Sequence, residues 1–570
     1  MGERSAPENV DVAAVEPLPR APMLALALGI VVLLGIALLD RPALDLDGAV
    51  ALLGAQSLAG DGDRLWGAPD DARLGELIQH ERFGAGRDLI VSAANERGDG
   101  LPFGRPLLYE LFLAPWVALA GAGGGLFVQG LLFAVAAFYA AATLARHVGR
   151  NAAWLPVVLL LASATGAYLL RLWPEAVLAA LLLVAFALAR NAHPALPPVF
   201  SAGLPEMYPE EPQVRGGRFA PRWLAVGALL GAVASAAPWT LPLLWPAAAT
   251  VPASRRRAGA VWIVAGALAT LLLLAVAGAA TSGESPSPRA LLGGLDWELP
   301  HSIHPRVLAW DVAYVLAGRH LGVLFYFVPV VLFAFLGGRG QGRGAMWGGV
   351  LLSLLLLLLL QPFDLAGSPL TIGLRAAVPL AAVLCLAVAR PPSKWALILT
   401  CVWAAAWLWP LWKAPGRPFH AYYGELRYTP PYLAPWAPLE TTQPKLHFGS
   451  RLSFGKGRLR MLGGEAMPGA AVAEVPTGTW VELLAAAPGS LPGFWVDGGE
   501  QAGNELPVRG GEVSEMIFRP DGGISFLVRP RRLWARHAMP GDDRLWSFYH
   551  VSIRLPGPPG KRFTIRVRPG

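Results

Sequence analysis

The sequence predicts a polytopic α-helical membrane protein followed by an all-β domain outside the membrane. Three observations carry that prediction. Apolar runs of roughly 16 to 24 residues recur from residue 23 to residue 411, long enough to cross a hydrocarbon core about 30 Å thick. Only 15% of the 570 residues are charged, 54% are hydrophobic, and the mean hydropathy is +0.46; soluble domains carry about a quarter charged residues. Past residue 412 the long apolar runs stop, and short stretches of β-formers separated by Gly, Pro and Asp clusters take over.

The net charge of +8 is not a nucleic-acid signature, because of where it lies. From Lys413 onward there are 20 Lys and Arg against 13 Asp and Glu, which leaves the membrane part nearly neutral. The excess reads as a solvated basic surface, or as one drawn to anionic lipid head groups or an anionic glycan. Cys385 and Cys401 both lie inside apolar runs, so no disulfide framework and no cysteine metal site is expected.

Residues 1–22 are polar and aperiodic and read as a disordered cytoplasmic tail. Met23 to Leu39 has no small-residue cleavage site after it and further spans follow, so it reads as a retained first helix. The segment 40–104 is polar, opens with Leu44-Asp45-Leu46-Asp47, and reads as a long functional loop without structure of its own. The next apolar run, 106–120, contains Glu110, which is costly in mid-membrane; it is expected to lie along or dip into the outer face, with a break at Gly121 to Gly125. If Leu126 to Ala145 then runs inward, Arg146 and Arg150 fall inside, as the bias of basic residues toward inner loops requires.

Further spans are expected at 153–170, 174–190, 222–238, 239–252, 258–280, 321–337, 346–361, 375–390 and 395–411. Pro238 and Pro242 either divide the pair 222–252 or kink it. The total is about eleven spans, with the N-terminus inside and loops 40–104, 281–320 and 362–374 outside. These spans make up a transmembrane domain over 23–411. A Pro- and aromatic-rich connector (412–440) leads to a β-rich extracytoplasmic domain (441–570), read as a sandwich. Its expected strands are Thr479 to Leu484, Ile524 to Val528, Trp546 to Ile553 and Phe563 to Val567.

Asp45 and Asp47, just beyond the first span, suit a general base or a divalent-metal ligand. The plainer reading makes one of them the cap of a helix beginning near Ala49. Arg105 and Arg375 fall at the same face, where a guanidinium binds phosphate oxygens bidentately; a loop charge and interface snorkelling are the plainer readings. Arg171 and Glu175 read as a mutual helix-end pair. His301 and His304, near Asp296 and Glu298, suggest a metal site, but Pro300 and Pro305 flank them and no third ligand is fixed. A transporter would show broken or charged helices at mid-membrane and repeat symmetry. The polar residues concentrate in outer loops instead, which favours a reaction at the surface.

Several stretches resemble the GT-C superfamily of integral-membrane glycosyltransferases, and most closely its bacterial aminoarabinose and mannosyl transferase branch. They are Asp47-Gly48-Ala49-Val50-Ala51 with Gln56-Ser57-Leu58 and Asp61-Gly62-Asp63, then Phe103-Gly104-Arg105-Pro106-Leu107-Leu108-Tyr109, Trp173-Pro174-Glu175 and Gly373-Leu374-Arg375. The resemblance covers roughly 23–411. Gly48 and Ala51 stand where family members often carry a second acid and an aromatic, and Arg105 stands where many carry Lys.

The resemblance implies a polyprenyl-phosphate-linked sugar as donor and a lipid, glycan or protein acceptor, in a bacterial cytoplasmic membrane. Asp47 would be the base, with Asp45 as a second carboxylate. Arg105 and Arg375 would hold the donor phosphate. Tyr109, Glu175, His301 and His304 would line the substrate site, the histidines on an outer loop that closes over it. No cofactor is assigned beyond the option of Mg or Mn. A non-catalytic transport or envelope-assembly protein, and a degenerate scaffold of the same fold, are the competing readings.

Overall fold

The computed structural model describes residues 20–40, 46–79, 103, 107–192, 219–282, 305–318, 322–336, 342–360 and 373–413, and strands between 453 and 569. The first helix, α1 (Arg20–Asp40), is apolar throughout its length. The segment expected to be a loop without structure is instead largely helical where it is described: α2 (Leu46–Gly60) and α3 (Ala68–Gln79) occupy it. Its Gly and Asp clusters punctuate helix ends. The turn at Asp61 to Asp63 follows α2, with Gly62 at φ +78°, and Asp70 sits at the third position of α3, where its carboxylate accepts the Gly67 N–H at 2.9 Å.

α4 (Leu107–His147) has a sharp elbow at Ala120–Gly121, where Gly121 takes φ +57°. Tyr109 and Gln129 stand 20 positions apart, ~30 Å along a straight helix, yet their side chains meet at 2.6 Å. The chain therefore doubles back, and a Cβ at Gly124 would lie 2.1 Å from the Trp116 carbonyl oxygen. The break expected at Gly121 to Gly125 is there. Glu110, however, is not held at a solvated face: it is completely buried, and its charge is met by Arg64.

The expected span 153–170 is broken into α5 (Leu155–Leu161) and α6 (Thr165–Leu169), whereas α7 (Pro174–Arg190) matches its expected range. Pro238 and Pro242 do divide their segment. α8 (Phe219–Ala236) ends at an extended Ala237, a 3-10 turn covers Pro238–Leu243, and α9 (Leu244–Ala249) follows. α10 (Arg256–Ser282) packs along α8 with almost no space between backbones. A Cβ at Gly227 would lie 2.0 Å from the Ile263 oxygen, and one at Gly231 2.5 Å from the Ala267 oxygen. Gly227-x-x-x-Gly231 is the small-residue spacing by which helices associate in lipid, where close packing replaces the hydrophobic effect.

The remaining helices are α11 (Pro305–Ala317), α12 (Val323–Tyr326), α13 (Val328–Leu336), α14 (Arg343–Leu360), α15 (Ala377–Leu386) and α16 (Lys394–Lys413). α11 falls within the expected outer loop 281–320, and the span expected at 321–337 is two short helices broken at Phe327. Among the described residues four helical stretches are long and apolar enough to cross a membrane: 20–38, 107–147, 253–282 and 343–360. Their exposed faces carry side chains such as Leu24, Leu119, Leu273 and Leu351. This is a polytopic membrane protein. Cys385 is buried and Cys401 exposed, and both are free thiols.

Contacts sort the helix ends into two sets. At one, Arg190 at the end of α7 donates to the Leu386 and Val388 carbonyls, Asn191 joins His147, and Arg222 donates to the Asn191 carbonyl. Arg146, Arg150, Arg390 and Lys394 lie in the same stretches, with no Asp or Glu among the described residues there. At the opposite ends stand Arg64, Glu110, Thr281, Glu175 and Arg375.

Among the described residues eleven strands follow, in two sheets. The six-stranded sheet runs β1 (Ser453–Gly455), β2 (Arg458–Gly463), β4 (Trp480–Pro488), β10 (Leu545–Arg554), β6 (Val508–Arg509), with β9 (Leu533–Ala538) also on β10. The five-stranded sheet runs β3 (Ala471–Pro476), β11 (Arg562–Pro569), β5 (Phe494–Gly498), β8 (Ile524–Pro530), β7 (Gly511–Phe518). All four expected strands are present, as β4, β8, β10 and β11. Neighbouring strands are antiparallel except β2 with β4. Phe494, Val496, Ile524, Phe526, Val528, Val551 and Ile553 are buried.

A polar network joining four separated stretches

α2 begins at Leu46, so Asp47 stands in its first turn, where the positive end of the helix dipole favours a carboxylate. The helix of the capping reading, expected near Ala49, is present and starts slightly earlier, with Asp45 directly ahead of it. The Asp47 side chain lies outside the described residues, as do Asp45, Arg105, His301 and His304. Gly48 and Ala51, where an acid and an aromatic were expected, are both buried.

Farther along α2, a Cβ on Gly54 would come within 2.6 Å of the Glu110 carboxyl group, so only glycine admits that side chain. Glu110 Oε2 takes the Arg64 Nε–H in a buried ion pair. Arg64 is fixed from three sides. Its N–H donates to the Thr281 carbonyl at 2.9 Å, its carbonyl accepts the Phe103 N–H at 3.2 Å, and its Nη2 donates to the Phe103 carbonyl at 3.4 Å. The turn after α2, the strand residue Phe103 and the end of α10 are thereby tied together. Arg73 bridges Asp61 and Asp70, each at 2.7 Å. Burial pushes the Asp70 carboxyl above its ordinary range, against the opposing pull of the Gly67 N–H and Arg73.

Tyr109, next to Glu110, donates its hydroxyl to Gln129 Oε1 at 2.6 Å. Gln129 Nε2 donates in turn to the carbonyls of Tyr168 and Arg171, at 3.0 and 2.9 Å. Tyr168 packs on the Trp173 ring at 4.9 Å and donates its hydroxyl to the Gly373 carbonyl at 3.3 Å. Trp173 is extended ahead of Pro174, as a residue preceding proline must be, and this starts α7 and puts Glu175 in its first turn.

Gly373 has φ +68° and sits against Tyr326 and Phe327, with no room for a side chain. That turn delivers Arg375 to Glu175. Nε and Nη2 of Arg375 reach Glu175 Oε1 at 2.8 and 2.6 Å. The guanidinium carbons of Arg171 and Arg375 each lie 5.7 Å from the centre of the Trp173 ring, so one indole receives two cations. The expected Arg171–Glu175 pair is thus replaced. Arg375, 200 positions away, holds the carboxylate more closely than the nearest basic residue in sequence.

The structure places Tyr109, Glu175 and Arg375 at the same helix ends as Arg64, Glu110 and Gln129, which sequence reasoning did not single out as site residues. A charge inside an apolar run is costly without a partner, and that signal could have led to a cation for Glu110 rather than to a helix placed at the outer face. Glu175 Oε2 is buried without a hydrogen-bond partner, but the Arg375 guanidinium on its other oxygen would repel a divalent cation. Among the described residues no three His, Cys, Asp or Glu side chains converge as metal ligands.

No protein-family model and no curated protein matches the chain. Among solved structures it is similar to ArnT from Cupriavidus metallidurans bound to undecaprenyl phosphate, with 13% identity, a TM-score of 0.41, and coverage of 70% of this chain and 66% of that one. The apo state of the same protein gives 14%, 0.38, 69% and 65%.

Proposed function

We propose that the chain is a membrane glycosyltransferase. It moves a sugar from a polyprenyl-phosphate donor to an acceptor hydroxyl of a lipid, glycan or protein, at the helix ends that carry the Arg64–Glu110 and Glu175–Arg375 pairs. The observation that carries this reading is a set of polar contacts at one end of the helices: the Arg64–Glu110 pair, the bonds of Gln129 to Tyr109 and the 168–171 turn, the Tyr168–Gly373 bond and the Glu175–Arg375 pair. They fall in or beside four stretches that resemble such enzymes, 61–63, 103–109, 173–175 and 373–375.

Asp47 takes the proton of the acceptor hydroxyl, whose oxygen attacks the anomeric carbon. The bond from that carbon to the phosphate oxygen breaks with inversion, and the electron pair leaves with the polyprenyl phosphate. Arg375 and Arg105 stabilise the departing anion. Glu175 holds Arg375 in place until phosphate arrives. The reading assigns no metal.

The basic opposite ends, which hold no Asp or Glu among the described residues, support an orientation with Arg146, Arg190 and Lys394 in the cytoplasm and the network outside a bacterial cytoplasmic membrane. The chain then crosses about eleven times, and the two sheets form a sandwich outside, after the connector. A second reading, a degenerate scaffold, is favoured by one observation: the positions of the second acid and the aromatic hold the buried Gly48 and Ala51.

The test is conversion of a radiolabelled polyprenyl-phosphate sugar by the purified protein in lipid. Release of free polyprenyl phosphate, stoichiometric with acceptor glycosylation, is the expected result. Intact donor with every class of acceptor would remove the catalytic reading.

A further inference from the structure

We infer that Gln129 is a positioning residue that fixes Tyr109 and the 168–171 turn against each other and so sets where Trp173, Glu175 and Arg375 stand; the inference rests on the glycosyltransferase reading above. Gln129 lies outside every stretch that resembles the family. It is wholly buried in the second arm of α4, close to Leu126, Val128 and Phe133 on the same arm, which are also buried. An uncharged amide at such a place is tolerated when its polar atoms are bonded, and three bonds are made.

The chemistry of the three partners is specific to an amide. Two backbone carbonyls demand two donors, and the Tyr109 hydroxyl demands an acceptor. A single planar group supplies all three only if it is the side chain of Asn or Gln. The Tyr168 carbonyl belongs to the end of α6, where a helix leaves its last oxygens without intrahelical donors, and the Arg171 carbonyl, in the turn beyond it, accepts the Trp173 N–H at 2.9 Å as well as the Gln129 amide. Gln129 therefore closes the end of α6 from a neighbouring helix. Through Tyr168 the same turn bears on the Trp173 ring and on the Gly373 carbonyl. Displacing it moves the surface on which Arg375 rests, while Arg375 and Glu175 keep their own chemistry.

Full-length Gln129→Glu and Gln129→Met are compared with the natural chain in lipid, by two readouts. In transfer assays, Gln129→Glu lowers kcat by about 10²-fold, the scale of a misplaced catalytic group, with little change in KM for the donor. It recovers as the pH falls, because a protonated carboxyl regains one donor. Gln129→Met loses the same activity at every pH. In amide hydrogen exchange, which needs no turnover, both variants speed exchange across 168–175 and leave 178–188 as in the natural chain.

Unchanged exchange at 168–175 in both variants overturns the inference, whether or not the protein transfers sugar. So does accelerated exchange with unaltered kcat and pH profile, which would make Gln129 merely structural. Absence of transfer by the natural chain removes the glycosyltransferase reading and leaves the positioning claim to be decided by the exchange data.

Discussion

Arg64 and Glu110 form an ion pair in which both side chains are almost entirely withdrawn from solvent. Taking either charge out of water costs several kcal/mol, which the partner and the further hydrogen bonds around the pair offset. Replacing one partner, as in Arg64→Met or Glu110→Leu, therefore destabilises the fold by ~3–5 kcal/mol. The double replacement restores most of the loss. Thermal unfolding of the four proteins in detergent checks this through the size of the coupling.

A related expectation concerns Arg375 and Glu175. Arg375→Gln removes a charge-assisted contact to phosphate, of a kind worth about 1.5–3 kcal/mol, and so weakens polyprenyl-phosphate binding by roughly tenfold or more. Arg375→Lys keeps the charge but loses the fork that spans Glu175 and lies near Trp173, and recovers only part of the affinity. Microscale binding of labelled polyprenyl phosphate distinguishes the two variants.

Helix packing offers a sterically plain test. Gly227→Ala forces a methyl group against the Ile263 carbonyl oxygen, and overpacking of this kind costs about 1–3 kcal/mol. Gly35→Ala meets nothing within 4 Å and leaves the melting temperature at or above that of the natural chain. Equal losses at both positions would contradict the close approach of α8 and α10.

Asp70 gives a pH dependence with a defined sign. Its folded carboxyl binds a proton more tightly than the ordinary carboxylate at 3.8, chiefly through burial. The folded state then holds more protons than the unfolded one above that pH, so this contribution is fullest below 3.8 and is lost as the pH rises through the folded value. Asp70→Asn removes that slope. Hydrogen exchange of α3 across this pH window measures it.

Much of the architecture was legible because its signals are local. The apolar runs, the glycine break at Gly121, the proline division at 238–242 and the four strands each follow from neighbours in sequence. α3 was missed, and α2 was legible only as the alternative of a capped helix near Ala49, because Asp and Gly clusters gave the whole segment the composition of a loop. The site was legible only as separate pieces. Arg64–Glu110, Gln129–Arg171 and Glu175–Arg375 join positions 46, 42 and 200 apart. Periodicity carries no information about such pairs, and the tempting near neighbour of Glu175 was the wrong one.

The most direct test of the central claim is sugar transfer from a polyprenyl-phosphate donor by Asp47→Asn in membranes, at matched expression and with folding verified by its melting curve. The account predicts that transfer is abolished, while Asp45→Asn retains a measurable rate. Full activity in Asp47→Asn with loss in Asp45→Asn would move the base by two residues, and full activity in both would contradict the mechanism.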